Sequence, residues 1–103
     1  MCEKVRRLLS HVRSKGPTDI DAEWIELRLR RGLCEVTGIP FFMEEKRHPM
    51  MPFIDRIDSS QKGYMRSNCQ MVLWCLNSFK GTATQDVFLK SLHKVARAVV
   101  KQG

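Results

Sequence analysis

Residues 52–81 read PFIDRIDSSQKGYMRSNCQMVLWCLNSFKG, and this run decides the fold. Pro52 to Ile57 alternates apolar and polar side chains, the period of a strand with one buried face. Ser59 to Ser67 is a loop, marked by Ser59-Ser60 and Lys62-Gly63. Cys69 to Trp74 is apolar and predicts an inner strand or extended run. Cys75 to Lys80 predicts a helix stopped by Gly81. The order is therefore strand, polar loop, strand, helix.

On the N-terminal side, Cys34 to Met43 predicts a short strand, a Thr37-Gly38 turn and a second strand ending in Phe41-Phe42. Glu44 to Met51 is a polar loop carrying His48 and Pro49. Further out, Val5, Leu8, Leu9 and Val12 follow the i, i+3, i+4, i+7 spacing of an amphipathic helix over Cys2 to Ser14. A second helix is predicted over Ala22 to Arg31. Asp19 or Asp21 would cap it, Gly32 would end it, and Trp24, Ile25, Leu27 and Leu29 include its core-facing positions. On the C-terminal side Thr84 would cap a helix over Gln85 to Lys101 whose apolar face is Phe88, Leu92, Val95, Ala96 and Val99. The expected architecture is a small α+β domain, with helices around a short antiparallel hairpin.

The chain has 103 residues, 43% of them apolar and 28% charged, which suits one globular domain over 1–103 and excludes low-complexity or coiled-coil readings. No apolar run approaches the ~20 residues of a membrane helix, so no membrane partner is expected. Met1-Cys2-Glu3-Lys4 lacks the apolar core of a signal peptide. The expected location is the cytoplasm, with nucleoid association. Net charge is +7, with residues 1–16 at +4, 17–48 at −2, 49–80 at +2 and 81–103 at +3. Basic ends around a middle of no net charge favour a polyanionic partner, DNA first. Cys2, Cys34, Cys69 and Cys75 form no CxxC pair, so buried free thiols are favoured over structural zinc. Oligomeric state is not specified by the sequence.

One constellation departs from generic core. Asp55 and Asp58 sit at a strand end, Asn68 follows Asp55 by thirteen residues, and Asn77 follows Asn68 by nine. A carboxylate and an amide oxygen, completed by water and phosphate, form a hard-ligand set suited to one divalent cation, Mg²⁺ or Mn²⁺. Such a cation supports phosphodiester hydrolysis. The run resembles the HNH (His-Me finger, ββα-metal) nuclease superfamily, and most closely its small phage and bacterial members with an IDRIDS…GY…N…N…K run. The resemblance extends from Cys34-Glu35-Val36-Thr37-Gly38 through Lys80-Gly81-Thr82-Ala83-Thr84 to about Phe88. It implies a ββα-metal core over about 34–81, with helical flanks at 1–33 and 82–103.

The resemblance also implies roles. Asp55 matches the acidic metal ligand, Asn77 the helix-borne ligand, and Asn68 the middle residue that fixes the loop and orients the base. Lys80 matches a basic residue facing phosphate, and Gly63 and Tyr64 a loop turn and a packing aromatic. The family's general base follows the acidic ligand, and that position here is Arg56. A guanidinium stays protonated at neutral pH and cannot deprotonate water, although it can bind phosphate. His48 is the first alternative base, with Asp58 or Glu45 behind it. Backbone contacts to DNA are expected from Lys80, Lys62, Arg66, Arg47, Arg6 and Arg7. The leading expectation is a metal-dependent endonuclease or nickase acting on DNA. The alternatives are a catalytically silent HNH-fold module that binds nucleic acid or inhibits a protein, as phage and mobile elements carry, and a basic protein-binding domain using Phe41-Phe42 and Met50-Met51.

Overall fold

The computed structural model describes residues 2–44 and 47–103. Glu45, one of the alternative bases, lies outside the described residues. The described chain is a small mixed α+β domain with four α-helices and a two-stranded antiparallel sheet.

Helix α1 (Glu3–Ser14) buries the four residues its periodicity predicts, Val5, Leu8, Leu9 and Val12. Helix α2 (Ala22–Arg31) packs against it. Asp21 caps α2 by accepting from the Trp24 N–H at 2.9 Å, and Gly32 ends it in the left-handed conformation at φ 70°. Trp24 and Ile25 enter the core, but Leu27 is exposed. Trp24 also carries the Arg28 guanidinium 3.7 Å from its ring centroid, which keeps that cation on α2.

The expected strands over Cys34 to Met43 are not formed as such. A single bridge joins Leu33 to Pro40 around the Cys34–Gly38 turn. The reason lies in where Glu35 makes its hydrogen bonds. Its backbone N–H donates to Met71 O at 2.9 Å, and its carboxylate accepts from the Met71 N–H at 2.6 Å. Pro40 has no N–H with which to extend a ladder. The turn thus covers the sheet edge that would otherwise be left open.

Strands β1 (Pro52–Arg56) and β2 (Cys69–Leu73) pair from Pro52 opposite Leu73 to Arg56 opposite Cys69. Ile54, Met71, Val72 and Leu73 are fully buried and centre the core. Helix α3 (Trp74–Lys80) follows β2 without a connecting residue and packs on both strands. Its first N–H groups are satisfied by loop carbonyls: Trp74 N donates to Met51 O and Cys75 N to Pro49 O. The helix therefore starts beside the residues preceding β1 and ends, at Lys80, beside the residues following it.

The loop between the strands is fastened to the α1–α2 connection. Gly63 has φ 76°, and a Cβ there would lie 2.1 Å from Pro17 O, so only glycine fits. Tyr64 N donates to Pro17 O, and the Thr18 hydroxyl donates to Tyr64 O.

Helix α4 (Gln85–Gln102) starts as predicted, with the Thr84 hydroxyl accepting from the Val87 N–H. Its apolar face does not dock as predicted. Phe88 is buried and Leu92 partly so, but Val95 and Val99 are 47% and 63% exposed. At about 1.5 Å per residue the 18-residue helix outruns the small sheet and its flanking helix α3, so only its first two turns find a partner.

Candidate functional site

The polar cluster at the exit of β1 is built by register. Asp55 pairs with Gln70 across the sheet, and the Gln70 Nε2 donates to Asp55 Oδ2 at 2.9 Å. Lys80, the last residue of α3, directs its ammonium into the same spot. Its Nζ lies 2.8 Å from Asp55 Oδ2, 2.8 Å from Arg56 O, 3.0 Å from Ile57 O and 2.8 Å from Gln85 Oε1. The side chains of Lys80 and Asp55 are 1% and 6% exposed. Four oxygens surround a group with three protons, so one proton is shared. A carboxylate, two carbonyls and an amide oxygen form the kind of cage that takes a hard cation, and here the ammonium fills it.

Lys80 was expected at a DNA phosphate, and its burial removes it from any surface. Asp55, expected as an open ligand, has the Lys80 cation on its Oδ2. Asn77 lies one turn before Lys80 in α3 and is half-buried. Among the described residues no three His, Cys, Asp or Glu side chains converge on a point.

Asn68 ends a single 3₁₀ turn, Arg66–Asn68. Its side-chain amide clamps Asp58 at both ends, with Oδ1 accepting from Asp58 N and Nδ2 donating to Asp58 O, each at 2.9 Å. Its own carbonyl accepts from Ile57 N at 2.7 Å. The side chain thus extends the ladder beyond Arg56 and holds the loop. Asp58 carries a second device. Its Oδ1 accepts from the Ser60 hydroxyl and N–H, and these bonds hold its carboxyl below the usual range.

Arg56 turns inward. Its guanidinium donates to Gln61 O at 2.8 Å and lies 5.1 Å from the Tyr64 ring centroid. His48 stands at the other end of β1, because Pro49 and Met51 cap the start of α3 while Asp55 is three residues beyond Pro52, roughly 10 Å along a strand. The Met50 N–H donates to His48 Nδ1 at 3.0 Å, so the neutral ring carries its proton on Nε2. The nitrogen left to accept a proton is already engaged, and the ring is packed edge-on against Phe42.

The remaining cations divide. Arg66 is tethered to α2's start by Asp19 and Asp21, with Nε to Asp19 O at 2.8 Å and an Nη to Asp21 Oδ2 at 2.6 Å, so its guanidinium is directed toward α2 although the pair is solvent-exposed. Arg7 pairs with Glu3 at 2.7 Å, but both side chains are well exposed and such a pair yields readily to phosphate. Arg6, Arg47 and Lys62 are exposed. Cys69 is buried beside Asp55, and burial pushes its thiol up to about 12, which removes it from thiolate chemistry.

Gln70 and Gln85 join the cluster without belonging to the sequence motif. The available signal was a glutamine inside the otherwise apolar run Cys69 to Trp74, where a polar side chain needs a buried partner. Comparison of the chain with family models, curated proteins and solved structures returned no match.

Proposed function

We propose that this chain is a nucleic-acid-binding module of the HNH (ββα-metal) type that does not cleave. The observation that carries this reading is the buried Asp55–Lys80 pair. A divalent cation brought to Asp55 would face the ammonium already 2.8 Å from the same oxygen. Two cations sharing one buried carboxylate repel by several kcal/mol. The oxygens suit a hard cation, but the Lys80 ammonium already occupies their centre and leaves a metal no place among them. Arg56 cannot serve as a base, and His48 is on the wrong end of the strand. Retained binding is supported by the +7 charge and by the exposed Arg6, Arg47 and Lys62.

A second reading, metal-dependent nicking, is favoured by two observations: Asn68 clamps the loop after β1, and Asn77 sits half-buried one turn from Lys80. One experiment separates the two. The protein is incubated with supercoiled plasmid and Mg²⁺ or Mn²⁺, and its affinity for a labelled duplex is measured over a salt series. The proposed reading expects intact plasmid and a log–log salt slope of about −0.9 per phosphate contacted. Nicking that disappears in Asp55→Ala and Asn77→Ala would establish the second reading. Absence of salt-dependent duplex affinity would overturn the first.

A further inference from the structure

A cavity lies between α1 and the start of β1, with no lining residue in common with the Asp55 cluster, and its volume of about 360 Å³ falls in the range of small-ligand sites, roughly 300–1,000 Å³. Its lining has two characters. Lys4 and Arg7 from α1 and Arg47 from the loop before β1 bring three cations; among the described residues no carboxylate lines it, and the Glu3 that pairs with Arg7 at 2.7 Å lies outside the lining in an exposed pair that a phosphate displaces. Leu8, His11 and Phe53 give it an apolar and aromatic wall. The His11 and Phe53 rings are 4.9 Å apart and tilted by 54°, and Phe53 is only half-buried.

We infer that this cavity binds a nucleotide unit, with the base against Phe53 and His11 and the phosphate held by Lys4, Arg7 and Arg47. An aromatic face takes a base by stacking without regard to sequence, and two guanidiniums with an ammonium suit a phosphate dianion. A carboxylate ligand would use the cations and leave the aromatic wall bare. A neutral ring would leave the cations unanswered. Burial and the nearby Lys15 hold the His11 imidazole below its ordinary pKa, so the ring joins the wall as a neutral group. Arg47 adds an independent sign, since it is the non-glycine residue held at positive φ, 62°, among the described residues. Strained backbone of this kind concentrates at ligand clamps. Whether the unit arrives as a free mononucleotide or within a single strand, the chemistry recognised is the same. Only the single-strand source touches the DNA-binding reading above.

The test uses the full chain with thymidine monophosphate, thymidine and inorganic phosphate as probes, followed by titration and by amide shifts in the NMR spectrum. Thymidine monophosphate is expected to bind at least about tenfold tighter than either fragment and to move the signals of His11 and Phe53. Arg47→Gln and Lys4→Gln should each weaken it severalfold, and Phe53→Leu, which keeps an apolar side chain but removes the ring, should do the same. Lys94→Gln with Arg97→Gln, on the far part of α4, should leave it unchanged. Equal affinity for thymidine monophosphate and phosphate, with no effect of Phe53→Leu or Arg47→Gln, would overturn the assignment. A ten-nucleotide thymidine strand that competes with the monophosphate and binds more tightly identifies the polymer as source; one that binds no more tightly identifies the free nucleotide. Duplex binding without monophosphate binding overturns the cavity site alone. Monophosphate binding without duplex binding upholds it while the DNA-binding reading falls.

Discussion

Lys80→Met removes the ammonium and keeps most of the side-chain stem, so its effect reports the charge rather than a cavity. Four oxygens lose a donor: Asp55 Oδ2, Arg56 O, Ile57 O and Gln85 Oε1. Asp55 keeps the Gln70 amide, but its carboxylate is left buried without a counter-charge. Breaking a buried pair by removing one partner costs about 3–5 kcal/mol. That is a large part of the ~5–15 kcal/mol a small domain has in total, and in a domain of this length it corresponds to a fall in Tm of at least roughly 12 °C. Urea unfolding followed by circular dichroism would measure it. Asp55→Asn combined with Lys80→Met removes both charges and should recover at least half of the loss, because the two sites share one interaction. A Lys80→Met protein within about 1 kcal/mol of the parent, or a double variant whose loss is the sum of the singles, would refute the placement of this pair.

Three further outcomes follow from packing and charge. Gly63→Ala should destabilise by more than the ~1–3 kcal/mol of a left-handed backbone alone, since the new Cβ meets Pro17 O at 2.1 Å; thermal melts would check it. Val99→Ser should stay within about 0.5 kcal/mol of the parent, whereas Phe88→Ala should lose about 3–5 kcal/mol, because Val99 is exposed and Phe88 buried; equal losses in urea melts would show that the whole of α4 is packed. Stability should also fall in two stages on acidification. His11, held below its ordinary 6.5, is neutral in the folded state while the unfolded chain takes up a proton, so stability declines as pH drops through about 6.5. Asp21 and Asp58, held below 3.8 by their hydrogen bonds, lose their contribution only as pH falls below that value. In urea midpoints taken across pH 7.5 to 5, His11→Gln should abolish the first stage, and an unchanged slope would contradict it.

Most of the fold was legible from local pattern. Val5, Leu8, Leu9 and Val12 repeat with a helical period, Asp21 and Thr84 occupy cap positions, and the two strands of residues 52–73 alternate or run apolar between turn signals. Two elements were not legible because distant residues decide them. The segment after Cys34 has strand composition, yet Glu35 commits its backbone and carboxylate to Met71, a partner far along the chain. The valines of α4 have core spacing, but spacing says nothing of whether a surface exists to receive them. The site followed the same division. The Asn68 clamp on Asp58 joins residues ten apart in the chain, a nearly local contact. The destination of Lys80 is not local, because a lysine ending a helix is ordinarily at the surface, and only the sheet register and the reach of α3 bring it to Asp55.

The most direct measurement is a Mn²⁺ titration of the isotope-labelled protein, following paramagnetic broadening of the amide signals. With the Lys80 ammonium in the oxygen cage, Asp55, Gln70 and Asn77 should broaden no more than the protein's surface average. Selective loss of those signals at low Mn²⁺, absent in Asp55→Asn, would show that a metal displaces the lysine and would contradict the account.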